Sequence, residues 1–403
     1  MPTIDEAMAE AEALRRAGRM RDAAVLYRRV LAVSPGHLDA AYRLALAVIA
    51  MGAPGEARPL VAALERDLPG NTDVLALKVK LLFADGAPRE ATALAGAGLA
   101  ATPDAHGLRQ TLLEGMAAHI RADARFAGDR PAAARTPLSP IPPVSVIACS
   151  IDPEKWRGIA GNMDALLGGN GYELIGIHDA RSLCEGFDRG FARARGDVII
   201  FCHDDIELLD DRFAVRLAAL LERFDVIGLA GTTHLGGASW FTSGWPHQHG
   251  IIAHRRPADT SYRVDVFGLA GAVTDGIEAL DGLFMAARRE VVERIGFDAV
   301  TFDGFHLYDT DFSYRAHLAG YRIALAHEVP VIHASTGNMG GDWAVQADRF
   351  LSKFAGRVPA GPRGPNPFRA AFLATRDQVR ALQRAQIALR EGQDWVTALD
   401  RPD

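Results

Sequence analysis

The stretch GDVIIFCHDDIE, residues 196–207, decides the fold of this chain. Its β-branched and aromatic run, residues 198–201, predicts a strand that is buried on both faces of a parallel sheet. The strand ends at His203, Asp204 and Asp205, so two carboxylates lie at the edge where open α/β sheets bind ligands. We expect Mg2+ or Mn2+ there, bridging nucleotide phosphates, because these ions combine one or two carboxylates with phosphate oxygens and water. Alternatively, the two aspartates only cap the next segment.

Two further strands, VSVIAC and YELIGIHD, precede this one, and helical segments separate the three within residues 144–194. Such alternation predicts an α/β fold with helices on both faces of a parallel sheet. Ser150 and Asp179 follow the two earlier strands. Because the carboxyl ends of parallel strands meet at one edge, we expect both side chains to share a crevice with Asp204 and Asp205.

The first third of the chain repeats with a period of 34 residues. Glycine, alanine and proline each recur three times at this spacing: Gly18, Gly52 and Gly86; Ala23, Ala57 and Ala91; Pro35, Pro69 and Pro103. The period is typical of tetratricopeptide helix-turn-helix units, in which the glycine ends the first helix and the proline closes the second. We therefore predict an all-α repeat domain over residues 1–125. Its curved surface would bind a partner, or would only pack against a neighbour or form a dimer.

A proline-rich stretch, residues 126–143, predicts a linker after the repeats. It separates the repeat domain from an α/β domain at 144–358, and we expect a helical tail at 359–403. The formal net charge of −6 gives no basic field for nucleic acid. No apolar run approaches the roughly 18 residues that span a membrane. Three cysteines without paired spacing favour the cytoplasm, and the scarcity of lysine beside arginine suggests a GC-rich, bacterial source.

Several ordered motifs between residues 144 and 358 resemble a known family: VSVIAC, GIHDARS, GFARARGDVIIFCHDDIEL, LDGLFMAARREVVERIGFD, FDGFHLYDTDFSYRAHLAGYRIAL and PVIHAS. They resemble the family 2 glycosyltransferases of GT-A fold, and most closely the branch named after the streptomycin-biosynthesis glycosyltransferase domain. The resemblance implies a Rossmann-like nucleotide-diphospho-sugar transferase domain. It also implies transfer of a sugar from a nucleotide-sugar donor to an acceptor hydroxyl, with a divalent metal and with inversion.

The resemblance also implies roles for single residues. Asp205 and His333 would hold the metal, Asp309 would be the general base, and Asp179 would contact the nucleotide base. Asp204 would complete the donor site, together with Ser150 from its place after the first strand. The chain departs from the family pattern at two positions, His203 and Tyr308, where aspartate and glutamate are usual.

Residues that bind the acceptor are predicted from the segment before LDGLFMAARR and from the first residues of that motif. Residues 231–278 suggest a loop over the site, and Trp245 in it offers an aromatic face to a sugar ring. Asp281 and Gly282 are the other candidates, since glycine permits close approach to a ligand. Three histidines in the loop could alternatively bind Zn2+, although their spacing carries little information: His247, His249 and His254.

Two other functions stay open at this level. The departures at His203 and Tyr308 are compatible with a non-catalytic scaffold whose transferase domain has decayed. A nucleotidyltransferase would also need a metal at a sheet edge. The donor sugar and the acceptor are not identified, although the repeats favour a protein acceptor or partner, and a homo-oligomer is possible.

Overall fold

The computed structural model of the chain describes residues 3–129, 141–268, 271–335, 340–359 and 369–401. The chain divides into two compact units, Met1–Ala122 and Asp123–Asp403. Most of the predicted linker, at 130–140, lies outside the described residues. Within the described ranges, no helix is both long enough and apolar enough to cross a membrane.

The first unit consists of helices that pair as the 34-residue period predicts. Their bounds are α1 Ile4–Arg16, α2 Met20–Val33, α3 Leu38–Ala50, α4 Pro54–Asp67, α5 Thr72–Ala84, α6 Pro88–Ala101 and α7 His106–Ala122. After α1, α3 and α5 the chain turns through a glycine of left-handed φ, at Gly18, Gly52 and Gly86. The repeating alanines lie in α2, α4 and α6 with no exposed surface. The prediction of tetratricopeptide repeats is therefore confirmed.

The second unit is built around a sheet with the order β2-β1-β3-β11-β5-β12-β9. Its strands are β1 Val144–Cys149, β2 Glu173–Ile177, β3 Val198–Cys202, β5 Val226–Gly228, β9 Val273–Thr274, β11 Phe284–Arg288 and β12 Ile323–Ala326. Strands β1, β2 and β3 are parallel, whereas β11 enters antiparallel between β3 and β5. All of β3 is buried, because Phe201 packs into the core on one face and Ile200 into the core on the other. The sheet is thus mixed rather than fully parallel.

Helices cover this sheet and connect its strands. They are α8 Pro153–Leu167, α9 Leu183–Phe191, α10 Phe213–Leu221, α11 Arg289–Ile295, α12 Tyr308–Leu318, α13 Gly341–Lys353, α14 Arg376–Arg390 and α15 Trp395–Ala398. The predicted fold class, an α/β domain of GT-A type after helical repeats, is confirmed by this architecture together with the comparisons given below.

A second sheet corrects the prediction that residues 231–278 form a loop. It contains β4 Ile206–Leu208, β6 Ala230–Thr232, β7 Gln248–Arg255, β8 Tyr262–Phe267, β10 Ala279–Leu280, β13 Val331–His333 and β14 Arg369–Leu373. Strands β7 and β8 pair antiparallel and are largely buried. A strand with one exposed face alternates apolar and polar residues, and β7 and β8 do not alternate along their whole length. The sequence pattern therefore does not identify them as strands.

The predicted helical tail, 359–403, also contains a strand. Residues Arg369–Leu373 form β14, which pairs antiparallel with β8, and the helix begins at Arg376. The side chain of Thr375 caps it by accepting from the backbone of Gln378. A charged and alanine-rich run does not distinguish a strand from a helix without its pairing partner.

Candidate active site

Two strand pairings bring distant segments to the end of β3. The antiparallel pairing of β3 with β11 places Leu283 beside His203, whose backbone N–H donates to the Leu283 carbonyl at 3.0 Å. The pairing of β4 with β13 places His333 opposite Ile206. The Ala334 N–H also donates to the Asp205 carbonyl at 2.9 Å. The segment 203–205 is therefore held between the 281–283 turn and the end of β13.

The side chains of His203, Asp205 and His333 converge on one point. Nε2 of His333 is 3.2 Å from Nδ1 of His203 and 3.2 Å from Oδ1 of Asp205, and Nδ1 of His203 is 3.9 Å from that oxygen. A circle through three atoms so spaced has a radius of about 2.0 Å, close to the ~2.0–2.2 Å of metal–imidazole and metal–carboxylate bonds. The three side chains therefore fit a single divalent ion.

The charges around Asp205 keep its carboxyl ionised. Burial alone would raise its pKa, but the hydrogen bond with His333 and the nearby charges of the two histidines and of Lys155 bring that pKa well below its usual range. Nζ of Lys155, at the start of α8, lies 3.4 Å from Asp205 and 3.9 Å from Asp204. An ionised carboxylate is the form that ligates a metal.

The two departures from the family pattern contact each other. Nε2 of His203 is 2.7 Å from the hydroxyl of Tyr308, a buried residue that opens α12. Burial, together with the charge of His333, lowers the pKa of His203, so its imidazole favours the neutral form that binds metals. This contact was not predictable from the sequence, because the two residues are 105 positions apart.

Asp309 follows Tyr308 in the first turn of α12 and is half-buried. One oxygen of its carboxyl group accepts a hydrogen bond from the Gly282 N–H at 2.7 Å, and the other accepts from the Thr310 N–H at 2.8 Å. Burial raises its pKa to about 7, and the charge of Asp281 adds to the rise. A Cβ on Gly282 would lie 2.0 Å from the Tyr308 hydroxyl and 2.8 Å from Cβ of Asp309, so only glycine fits this approach.

Asp281 itself is held on both carboxyl oxygens. One accepts from the indole N–H of Trp240 at 2.7 Å and the other from the Leu283 N–H at 2.8 Å. The predicted acceptor candidates Asp281 and Gly282 therefore lie next to the predicted base, Asp309, in one turn-and-helix arrangement.

A cavity of about 470 Å3 opens beside these residues. Asp281, Asp309, Tyr308 and the two cluster histidines contribute to its wall, which also carries several aromatic side chains: Trp240, Phe241, Phe267, Phe305 and Trp343. Trp245, the predicted acceptor contact, is not among the described residues that line it. Trp240 lines it instead, and nothing local in the sequence distinguishes these two tryptophans of one segment.

The predicted donor residues Ser150 and Asp179 follow the strands β1 and β2. Ser150 is buried after β1, and its hydroxyl donates to the Asp152 carbonyl at 3.1 Å. Asp179 follows β2, is exposed, and pairs with Arg189 at 2.7 Å, which holds its pKa below the usual value. Neither residue lines the cavity. The cluster therefore borders the cavity through its histidines and reaches towards α8 through Asp205, which Lys155 contacts.

The three histidines weighed as a zinc site do not meet. His249 and His254 are five positions apart on β7 and therefore point to opposite faces of the sheet. His254 lies instead 3.8 Å from Asp265, and its ring is 5.8 Å from that of His333. Within the described ranges, the cluster of His203, Asp205 and His333 is the one group of ligand side chains close enough for an ion.

Comparisons with known proteins agree with this architecture. A curated relative from Fuscovulum blasticum, described as ATP synthase subunits region ORF 6, is 32% identical over 140 residues, which are 32% of this chain and 49% of the relative. The chain thus spans about half the length of that relative.

Two solved structures match this chain at low identity and low TM-score. A Pyrobaculum calidifontis mannosyltransferase in complex with GDP-Man and Mn2+ is 13% identical, covering 77% of this chain and 84% of its own, with a TM-score of 0.35. GalNAc-T7 with UDP, GalNAc and Mn2+ is 12% identical, covering 52% and 48%, with a TM-score of 0.32. At such scores neither likeness carries an argument about chemistry.

Family models match both parts of the sequence. A tetratricopeptide repeat model matches residues 14–81, within the first unit. A second model, described as a glycosyltransferase-like family, matches residues 145–354, which begin at β1 and end after α13. Since this match spans just over half of the 403 residues and contains the cluster, Asp309 and the cavity, the chain belongs to the glycosyltransferase-like family.

Proposed function

We propose that the chain is a metal-dependent glycosyltransferase that moves a sugar from a nucleotide-sugar donor to an acceptor hydroxyl, with inversion at the anomeric carbon. One observation carries the proposal: a ligand cluster of divalent-ion size and a half-buried carboxylate, Asp309, border the same cavity. Glycosyl transfer from a diphosphate leaving group needs both parts, since charge must be neutralised on one side and a proton accepted on the other.

In this proposal Asp205, His333 and His203 hold Mn2+ or Mg2+. Such an ion, when bound, neutralises charge on the leaving diphosphate. Lys155, next to Asp205 and half exposed, supplies a second positive charge at the same place. In this proposal the donor nucleotide lies along the ends of β1, β2 and β3, near Ser150, Asp179 and Asp204. These roles follow the chain's own charges and the family to which it belongs.

The acceptor occupies the cavity in this proposal. The aromatic wall of the cavity suits the apolar C–H face of a sugar ring. Asp281 and Gly282 contact the acceptor from the turn beside the base. Asp309 accepts the proton of the attacking hydroxyl as the sugar becomes oxocarbenium-like. Attack by this hydroxyl on the face opposite the leaving diphosphate is a single displacement and therefore inverts the anomeric carbon.

The test is turnover of a panel of nucleotide sugars with Mn2+, followed as release of the nucleoside diphosphate. We expect one donor to be consumed, and expect Asp205→Asn and Asp309→Asn each to lower kcat/KM by about 10²-fold or more. Asp275→Asn, at an exposed carboxyl outside the site, is the matched control and should keep full activity. Release of pyrophosphate from a nucleoside triphosphate would instead identify a nucleotidyltransferase.

We also propose that the repeat unit recruits the acceptor or a partner protein. Support comes from the tetratricopeptide match and from the separate compactness of residues 1–122. A cytoplasmic location is proposed from the cysteines, which are free in the described chain: Cys149, Cys184 and Cys202.

A further inference from the structure

The contact between His203 and Tyr308 changes how the two departures from the family pattern are interpreted. Taken separately, each replaces a carboxylate and suggests a weakened site. In the structure they form one hydrogen-bonded pair, with Nε2 of His203 2.7 Å from the Tyr308 hydroxyl. The Tyr308 side chain is packed against Phe187, which fixes the position of its ring in the core.

This pair fixes the orientation of the His203 ring. With Nε2 engaged by the tyrosine, Nδ1 is the nitrogen that faces the other two cluster atoms, at 3.2 Å from His333 and 3.9 Å from Asp205. A metal-bound imidazole usually donates its second N–H to an oxygen, which selects the tautomer and holds the ring. The Tyr308 hydroxyl is correctly placed to accept that hydrogen bond.

We propose that His203 is a metal ligand through Nδ1, that Tyr308 is its positioning residue, and that the site therefore prefers a divalent transition ion, Mn2+, Co2+ or Zn2+, over Mg2+. Two imidazole nitrogens and one carboxylate form a borderline donor set, whereas Mg2+ requires oxygen ligands in near-ideal octahedral geometry. The inference rests on the proposed function, since both take this cluster as the metal site. It adds the class of ion that the site prefers.

A purely structural role for the pair makes a different prediction. If the hydrogen bond only joined the end of β3 to the start of α12, its loss would lower stability and leave the relative affinities of ions unchanged. Metal selectivity therefore separates the two roles, and it can be measured on the whole chain without donor or acceptor.

The experiment is calorimetric titration of the full chain with Mn2+, Co2+, Zn2+ and Mg2+, one at a time and without nucleotide. We expect each transition ion to bind at least about tenfold more tightly than Mg2+. His203→Asp, which restores the usual oxygen ligand, should reduce the Mn2+ to Mg2+ affinity ratio by about tenfold. Tyr308→Phe keeps the ring but removes the hydroxyl, and should weaken Mn2+ binding by about 10- to 100-fold.

A double-mutant cycle tests whether Tyr308 acts through His203. In the His203→Asp background, Tyr308→Phe should cause no further loss of Mn2+ affinity, because its partner nitrogen is gone. Tyr314→Phe, the same change at a buried tyrosine of the same helix, is the control and should leave every ion affinity unchanged. Tryptophan fluorescence checks that each variant is folded. If Tyr308→Phe does not fold, His203→Gln replaces it in the titration. This variant removes Nδ1 and should also weaken Mn2+ binding.

An unchanged Mn2+ to Mg2+ ratio in His203→Asp, or an equal effect of Tyr308→Phe in both backgrounds, would overturn the inference. Failure of the proposed function gives a separate result. In that case the transition ions bind more tightly than Mg2+ and the double-mutant cycle shows the expected coupling, but no nucleotide sugar is turned over.

Discussion

Asp309 is the residue whose surroundings most restrict its chemistry. Its carboxyl is half-buried, accepts two backbone N–H groups and lies near the charge of Asp281. Burial and the neighbouring charge outweigh the two hydrogen bonds, so the pKa rises to about 7. A base with a pKa near the working pH is present in its ionised form and still accepts a proton readily.

This pKa predicts the pH dependence of the proposed reaction. Below about 7 the Asp309 carboxyl is protonated and accepts no proton, so kcat/KM should rise as the pH increases through about 7 and level off above it. Asp281→Asn removes a negative charge that raises this pKa, so the acid limb should move to lower pH even if the plateau falls. The measurement is kcat/KM across pH 5 to 9, roughly, at saturating metal.

Asp275→Asn, at an exposed site, should leave the acid limb in place. A limb that stays at the same pH in Asp281→Asn would contradict the assignment of the base, because the group that titrates would then not feel the charge of Asp281.

At the scale of elements, helix α12 is anchored by a buried ion pair. The i,i+4 spacing of Asp311 and Arg315 predicts an exposed pair, but the Asp311 side chain is fully buried. It accepts from Arg315 at 2.7 Å and from Lys353 of α13 at 2.5 Å. The i,i+4 spacing correctly identifies Arg315 as the partner of Asp311. It does not show that the pair lies on a buried face of the helix, because α12 is buried nearly all round and lacks an amphipathic pattern.

Asp311→Asn should therefore destabilise the second unit by about 3–5 kcal/mol, since Arg315 loses the Asp311 carboxylate and Lys353 keeps only that of Asp298. Urea unfolding followed by tryptophan fluorescence measures this unit alone, because all five tryptophans lie in it. Glu154→Gln removes one partner of an exposed pair whose Glu154 side chain is 88% exposed, and should change stability by less than about 0.5 kcal/mol. A similar small effect for Asp311→Asn would show that the buried pair contributes no net stability.

Which elements the sequence predicts depends on whether their pattern is local. The repeats and the strands β1 to β3 are visible because a period or a short apolar run fixes each of them. Strand β14 is not, since only its pairing with β8 distinguishes it from the helix that follows. The same holds for β11, whose antiparallel entry between β3 and β5 depends on contacts across the sheet.

At the scale of the whole molecule, the chain consists of two units with separate cores. Leu77 lies in the core of the repeats, whereas Phe201 and Phe312 lie in the core of the transferase unit. Leu77→Ala should destabilise the repeats by about 2–5 kcal/mol through the cavity it creates. We expect the helical signal in circular dichroism to acquire an earlier transition, while the tryptophan transition keeps its midpoint. An equal fall of both midpoints would show that the chain unfolds as one cooperative unit.

The site was predictable to the extent that its residues belong to motifs. Asp205, His333, Asp309, Asp281 and Gly282 follow from strand ends and from the family resemblance, and the structure brings all five to one region. The place of Trp240 and the contact of His203 with Tyr308 were not predictable, because they depend on side chains that meet only after folding. Sequence spacing does not report such distances.

The pairing of β4 with β13 has a consequence for synthesis of the protein. His203 and His333 are 130 positions apart, and their imidazoles meet only after the late strand has paired with the earlier one. A nascent chain that has left the ribosome only as far as α12 already carries Asp205 and Asp309 but has no complete ion site. Binding of the proposed ion would therefore report that β13 has paired with β4.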